Sequence, residues 1–243
     1  MTEPGRKPSL WAVLPAAGLG RRFGAATPKQ HLPLAGRSAL ERSLSLLLAE
    51  PRVRGAVVAL SADDPWRAPS ACRQGKYVRH CAGGPERAQS VLNALSRLKE
   101  HDCCDDDWVL VHDAARPLLR PGDLERLIDL ALADPIGALL AVPVRDTLKR
   151  ADTDGRCQAT VDRTALWHAQ TPQMFHLGPL HNAIATAIEA GVPVTDEAGA
   201  MERAGYHPLL VEGHGDNIKI TSRDDALLAE QLLSGVEERQ PCA

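Results

Sequence analysis

A loop of small residues followed by cations lies near the start of the chain, in residues 12–30, AVLPAAGLGRRFGAATPKQ. Its small residues are Ala16, Ala17, Gly18 and Gly20. Its cations are Arg21, Arg22 and Lys29. Small side chains let backbone N–H groups approach a ligand, and charge-assisted hydrogen bonds to phosphate are about twice as strong as neutral ones. The loop is therefore a candidate triphosphate site, although short glycine motifs also occur in ordinary turns.

Two commoner nucleotide loops fit this sequence poorly. A P-loop needs Gly, four residues and then Gly-Lys-Ser/Thr, and no such string occurs in the sequence. A dinucleotide loop needs G-x-G-x-x-G, but here Gly24 comes one place late after Gly18 and Gly20. A dehydrogenase is therefore a weak alternative.

The composition is that of a globular α/β protein. The chain has 243 residues, of which 44% are hydrophobic and 24% charged, enough for one large domain or two small ones. A net charge of −3 provides no general attraction for nucleic acid. The longest apolar runs, such as residues 138–144, are too short for a membrane span, and residues 1–9 lack the apolar segment of a signal peptide. We therefore expect a cytoplasmic protein that binds neither membrane nor nucleic acid.

The six cysteines are scattered along the chain without C-x-x-C spacing. This pattern indicates neither a zinc site nor a disulfide framework. Free thiols are the expectation.

Strands and helices are predicted to alternate over the first part of the chain. Apolar runs predict strands at residues 10–14, 53–60, 77–82, 108–111 and 137–144, with edge strands at 207–212 and 217–221. Apolar spacing and capping residues predict helices at residues 38–49, 63–72, 89–98, 121–133, 180–190, 197–204 and 223–233. This alternation predicts a Rossmann-like, doubly wound, mainly parallel sheet. Ligands bind beyond the carboxyl ends of such strands, which places residues 16–29, 83–87 and 112–116 on one rim.

Residues 145–171 break this pattern. Two short β-prone stretches flank Asp154-Gly155, which is a strong hairpin turn signal. The segment is too polar for a core βα unit, so we expect a hairpin arm that projects from a single domain of residues 1–243. Such an arm usually needs a partner subunit to cover it, which predicts a homodimer.

Eight strings occur in order along the chain and together resemble one family. They are PAAGLGRRFG, TPKQ, GGPERAQSV, VHDAARP, VRDTLKR, VDRTALWHAQTPQMF, TDEAGAMERAG and VEGHGDNIKIT. Over about residues 10–233, the sequence resembles the 2-C-methyl-D-erythritol 4-phosphate cytidylyltransferases of the non-mevalonate isoprenoid pathway. The resemblance implies a nucleotidyltransferase fold and transfer of CMP from CTP to methylerythritol phosphate, with release of pyrophosphate.

The resemblance also implies a role for each matching residue. The cations tied to the chemistry would be Arg22, Lys29, Lys219 and, reaching into a neighbouring subunit, Arg163. Nucleotide contacts would come from Ala16, Ala17, Gly18, Gly20, Gly83, Gly84, Arg87 and Ser90. Acceptor contacts would come from Asp113, Arg116, Thr147 and Thr195. Mg²⁺ is the implied cofactor, with no protein ligands assigned and Asp113 as a nearby candidate. Pro85 departs from the polar or acidic residue that relatives often carry.

Two alternatives stay open at this point. A ribitol 5-phosphate cytidylyltransferase would share the loop and the fold, although the WHAQTPQ and TLKR strings favour the erythritol enzyme. A non-catalytic nucleotide sensor would keep the loop but could lose the cations, all of which are present.

Overall fold

A seven-stranded mixed sheet forms the centre of the chain in a computed structural model, which describes residues 6–18, 28–69, 73–100 and 103–237. Its strands are β1 (Leu10–Pro15), β4 (Val53–Leu60), β5 (Tyr77–Ala82), β6 (Trp108–Val111), β7 (Gly137–Pro143), β10 (Trp167–His176) and β11 (Leu209–Glu212). Their order is β11-β7-β10-β6-β1-β4-β5. Strand β10 runs antiparallel to β6 and β7, and the other neighbouring pairs are parallel.

Helices cover both faces of the sheet, so the predicted doubly wound α/β fold is confirmed. They are α1 (Ala39–Ala49), α2 (Arg87–Lys99), α3 (Pro121–Ala133), α4 (Leu177–Glu189), α5 (Glu197–Arg203) and α6 (Arg223–Glu237). Apolar residues of α1 and α3 form one core with the sheet, and those of α2, α4 and α5 form the core on the opposite face. Sealing both faces is what permits strands as apolar as β1 and β4.

Local signals in the sequence explain several of these boundaries. Ser38 and Glu41 form a reciprocal capping box at the start of α1, which satisfies two backbone N–H groups. Pro121 occupies the first turn of α3, where a missing N–H costs nothing. A 3₁₀ turn, Lys29–His31, leads into a two-stranded ribbon of β2 (Pro33–Leu34) and β3 (Arg37–Ser38).

The predicted arm is a hairpin, but it is shorter than residues 145–171. Strands β8 (Leu148–Ala151) and β9 (Cys157–Val161) pair antiparallel and are mostly exposed. Residues 167–171, which the sequence prediction assigned to the arm, belong instead to β10 inside the sheet. The sequence did not predict this strand because Gln170 and Gln173 made it look solvent-exposed. Both glutamines are in fact buried, and their amides are hydrogen-bonded within the protein.

Two other predicted elements differ from the structure. Of the helix predicted at residues 63–72, residues 64–69 are not helical, since Pro65 and Pro69 each remove a backbone donor. Residues 70–72 lie outside the described residues. Residues 217–221 form no strand, although Ile220 N–H donates to Ala115 O at 2.9 Å. The segment is held instead by the buried Asn217 amide, which donates to Thr171 O at 2.9 Å.

Within the described residues, each helix is too short or too polar to traverse a lipid bilayer. Cys81, Cys104 and Cys157 are free thiols.

Candidate active site

A cleft of about 1080 Å³ opens beyond the carboxyl ends of β1, β4, β5 and β6. This is the position that the strand rule predicts for a ligand site. The predicted site residues that line it are Ala16, Ala17, Gly18, Gly83, Gly84, Arg87, Ser90, Asp113 and Lys219. Segments that are far apart in sequence, from Ala16 to Lys219, therefore share one cavity.

The turn after β5 contacts the loop after β1 so closely that glycine is required. A Cβ on Gly83 would lie 2.1 Å from the Cβ of Ala17, and a Cβ on Gly84 would lie 2.2 Å from Cγ of Gln89. The Ser90 hydroxyl accepts from Gly84 N–H at 3.0 Å and donates to Glu86 O at 3.2 Å, which fixes the turn. Gly83 thus lets the two loops meet, and Gly84 lets the turn pack against the start of α2.

The glycine loop itself is anchored at its first residue, Ala16. Ala16 N–H donates to Ala59 O at 2.8 Å, and the buried Gln30 amide donates to Ala16 O at 2.7 Å. Gln30 thereby ties the 3₁₀ turn that contains Lys29 to the start of the loop. Arg22 and Gly20 lie outside the described residues, and only the backbone of Lys29 is described.

Asp113 is the centre of a charged cluster that also lines the cleft. One carboxylate oxygen accepts from Arg87 Nε at 2.8 Å, and the other contacts Lys219 Nζ at 2.8 Å. Arg116 Nε lies 3.7 Å from the second oxygen, and its Nη1 donates to Asn217 O at 2.6 Å. Arg116 therefore lies next to the cleft as part of its supporting wall.

Burial and charge act in opposite directions on this cluster. Burial alone would raise the pKa of Asp113, but the attraction of Arg87, Lys219 and Arg116 outweighs it and holds the pKa well below its usual range. For Arg116, burial dominates and lowers the pKa despite Asp113. Asp113 is thus a permanent carboxylate at neutral pH, surrounded by cations.

His112 precedes Asp113 but is fully buried, and both of its ring nitrogens are engaged. Nε2 lies 3.0 Å from Arg116 O, and Nδ1 lies 3.0 Å from the Thr171 hydroxyl. A carbonyl only accepts, so Nε2 carries the proton and Nδ1 accepts from Thr171, which in turn accepts from Asp113 N–H at 3.0 Å. Burial lowers the pKa of His112 to about 4, so the ring is neutral and orients Asp113.

Three predicted residues lie outside the cleft in this single chain. Thr147 is exposed beside β8, and Thr195 is exposed before α5. The exposed Arg163 follows β9 and donates to Val144 O and Arg145 O at the base of the arm. The structure therefore brings the loop, turn and Asp113 residues together but not these three.

Sequence reasoning missed Glu197, which lies behind Arg87. Its two carboxylate oxygens accept from Nη1 and Nη2 of Arg87 at 2.7 and 3.0 Å, and its side chain is 1% exposed. The string TDEAGAMERAG contained the residue, but a glutamate in the first turn of a helix normally indicates only a favourable helix start. No local signal predicts a buried partner 110 positions away.

The chain matches known proteins over most of its length. The family model for 2-C-methyl-D-erythritol 4-phosphate cytidylyltransferase (IspD) matches residues 10–235. The enzyme of that name from Pseudomonas aeruginosa is 57% identical over 220 residues, which are 90% of this chain and 94% of that protein. The Pseudomonas putida W619 enzyme is 52% identical over 94% of this chain and 97% of its own length.

Solved structures agree with these relatives. A crystal structure of 4-diphosphocytidyl-2C-methyl-D-erythritol synthase superposes with a TM-score of 0.80 at 38% identity, covering 93% of this chain and 100% of the other. The Francisella tularensis 2-C-methyl-D-erythritol 4-phosphate cytidylyltransferase gives a TM-score of 0.78 at 32% identity, covering 92% and 99%. The cleft, its loops and its charged wall thus occur on a fold and sequence shared with these enzymes, and the chain belongs to the 2-C-methyl-D-erythritol 4-phosphate cytidylyltransferase family.

Proposed function

We propose that this chain transfers the cytidylyl group of CTP to 2-C-methyl-D-erythritol 4-phosphate, in the formation of isoprenoid precursors. One observation supports this most strongly: a single cleft is lined both by two glycine turns and by the Asp113–Lys219 ion pair. Glycine turns suit a nucleotide, because backbone donors can approach its phosphates. The ammonium group of Lys219 in the same cleft suits a second anionic substrate.

The reaction needs charge stabilisation more than proton transfer. An acceptor phosphate oxygen attacks the α-phosphorus of CTP, a new P–O bond forms, and the bond to the bridging oxygen of pyrophosphate breaks. A phosphate monoester is mostly dianionic at neutral pH, since its second pKa is near ~6. Arg22 and Lys29 would stabilise the pentavalent phosphorus, and Lys219 would hold the acceptor phosphate.

No side chain is needed as a general base, and the environment of His112 supports this. Its ring is buried and hydrogen-bonded on both nitrogens, which leaves no lone pair facing the cleft. Its role in this proposal is to hold the backbone N–H of Asp113 through Thr171. Asp113 then keeps Lys219 at the cleft wall.

Mg²⁺ is the proposed cofactor, and the donor set fits an ion held mainly by phosphates. Among the residues that the structure describes, no three His, Cys, Asp or Glu side chains cluster as a metal cage. Asp113 offers one permanently charged carboxylate in the cleft, and Mg²⁺ commonly uses one or two carboxylates together with substrate phosphates and water. When bound, the ion would neutralise charge on the triphosphate.

A homodimer formed through the arm completes the proposal. Thr147 and Arg163 are exposed in the single chain and do not line its cleft. Arg163 would instead reach the cleft of a second copy, as the family resemblance implies. A cytoplasmic location stays a prediction.

Pyrophosphate release on mixing the chain with CTP, Mg²⁺ and methylerythritol phosphate tests the proposal. We expect release with this acceptor, and a lower kcat/KM when ribitol 5-phosphate replaces it. No release at high enzyme concentration would support a nucleotide sensor instead. A preference for ribitol 5-phosphate would overturn the assigned acceptor.

A further inference from the structure

Glu197 is a buried carboxylate that forms an ion pair with Arg87, a residue of the cleft. Its side chain is 1% exposed, and the paired hydrogen bonds to Arg87 have the fork geometry that makes such pairs directional. Arg87 lines the cleft, whereas Glu197 does not. Glu197 is therefore linked to a bound substrate by contact only through Arg87.

Arg87 connects Glu197 to the charged wall of the cleft. Its Nε donates to Asp113 on the edge that Glu197 leaves unoccupied, and Asp113 contacts Lys219 through its other oxygen. Four alternating charges thus run from Glu197 through Arg87 and Asp113 to Lys219. Each pair is 3.0 Å apart or less, so displacement of one member moves the next.

The segment that carries Glu197 is held rigidly. Gln173 of β10 donates to Asp196 Oδ2 at 2.9 Å and accepts from Ala198 N–H at 2.7 Å. Asp196 also caps α5 by accepting from Gly199 N–H at 3.0 Å. Glu197 is therefore fixed to strand β10 of the sheet, which makes it a firm anchor for the long side chain of Arg87.

The negative charge of Glu197 balances the positive charge of Arg87, and this balance suggests what Glu197 does. Without Glu197, Asp113 would be the main counter-ion for Arg87 as well as for Lys219, and Arg87 would be drawn toward any anion in the cleft. We propose that Glu197 is a positioning residue for the cytidylyl transfer: it holds Arg87 so that Asp113 keeps Lys219 in place for the acceptor phosphate. The proposal rests on the function inferred above.

The test compares Glu197→Gln and Glu197→Asp with wild type by steady-state kinetics for each substrate, with folding checked by circular dichroism and thermal unfolding. Glu197→Gln keeps the shape but loses the charge, so we expect the KM for methylerythritol phosphate to rise and kcat/KM to fall roughly 10- to 100-fold, in the range that misplacement of a binding group produces. Glu197→Asp retains the charge, so it should recover part of the lost kcat/KM. Glu202→Gln, an exposed glutamate on the same helix, is the matched control and should behave as wild type.

The outcomes separate positioning from simple folding. A merely structural role would reduce the amount of active enzyme and lower kcat while both KM values stayed at wild-type levels, and that result would overturn the proposal. So would wild-type kinetics in Glu197→Gln. If Glu197→Gln does not fold, the decision rests on the KM of Glu197→Asp, where a wild-type value counts against positioning. A wild-type chain that releases no pyrophosphate would instead overturn the proposed function, and the inference with it.

Discussion

Predicted site residues occur both around Asp113 and in the hairpin arm, but Asp113 itself is buried, whereas those in the arm are exposed. Asp113 is buried among three cations from three different segments of one chain, Arg87, Arg116 and Lys219. Thr147 and Arg163, at the base of the arm, are exposed and face no cavity lined by the other site residues. The comparison indicates that one chain builds the two glycine turns and the charged cluster around Asp113 by itself. Under the proposed function, the arm would contribute to the cleft of a second copy.

Among the residues of the cleft, we expect substitution of the loop cations to reduce activity most. Arg22→Ala and Lys29→Ala should each lower kcat by at least ~100-fold, because each removes a charge that would stabilise the transition state. Arg21→Ala is the matched control, since this neighbouring cation has no assigned role. Pyrophosphate release under saturating substrates measures the effect. Wild-type turnover in either variant would refute the role given to that residue.

His112 provides a test of how the stability of the fold depends on a neutral imidazole ring beside Asp113. The unfolded chain binds a proton at the ordinary histidine pKa of 6.5, whereas the folded chain binds it at about 4. Between these values the unfolded state holds more protons, so stability falls as the pH is lowered from 6.5 to 4, by on the order of 3 kcal/mol in total. This loss is absent above pH 6.5.

The measurement for His112 is the free energy of urea unfolding across that pH range. His112→Gln should reduce the pH dependence, whatever its effect on stability at neutral pH. His207→Gln is the control, because His207 has an exposed side chain. An unchanged slope in His112→Gln would show that the pH dependence arises elsewhere.

Gly83 tests the wall formed by the two glycine turns. In Gly83→Ala the new methyl group would overlap Ala17, with 2.1 Å between the Cβ atoms, so the loops must separate. We expect a loss of roughly 1–3 kcal/mol in unfolding free energy and a raised KM for CTP. Gly122→Ala is the control, since a Cβ there meets nothing within 4 Å and alanine favours the helix. Equal stability of the two variants would contradict the close contact.

The sequence predicted the parts of this site that depend on local pattern. Apolar runs ending in small residues placed Ala16 and Gly83 at the carboxyl ends of strands, and the strand rule brought them to one rim. Alternation of strands and helices predicted the two-layered covering of the sheet. These features follow from chain-local periodicity, which needs no knowledge of distant partners.

The missed features depend on long-range pairing of polar groups. Strand β10 contains buried glutamines that look solvent-facing, and their partners Asp196 and His214 come later in the chain. Glu197 reads as an ordinary first-turn acid until the fold brings Arg87 to it. Buried polar residues are satisfied by groups whose position only the complete fold determines, so sequence periodicity misassigns them.

The arm provides the smallest effect and the sharpest test of whether sites are shared between chains. If Arg163 acts in the cleft of a partner, mixing Arg163→Ala chains with Lys29→Ala chains gives hybrid dimers in which one of two sites is intact. Half of the dimers are hybrid after random exchange, so activity should recover to roughly a quarter of the wild-type value. The measurement is pyrophosphate release, with hybrid dimers confirmed by mass spectrometry.

Two comparisons make this complementation decisive. Arg150→Ala alters an exposed cation on β8, and it should keep wild-type activity on its own. If Arg163 served the cleft of its own chain, each hybrid would contain one site without Arg163 and one without Lys29, so no activity would return. No recovery in confirmed hybrids would therefore assign Arg163 to its own chain. It would also remove the reason for treating the arm as part of a shared site, since the charged wall around Asp113 would then have to be completed from within one subunit.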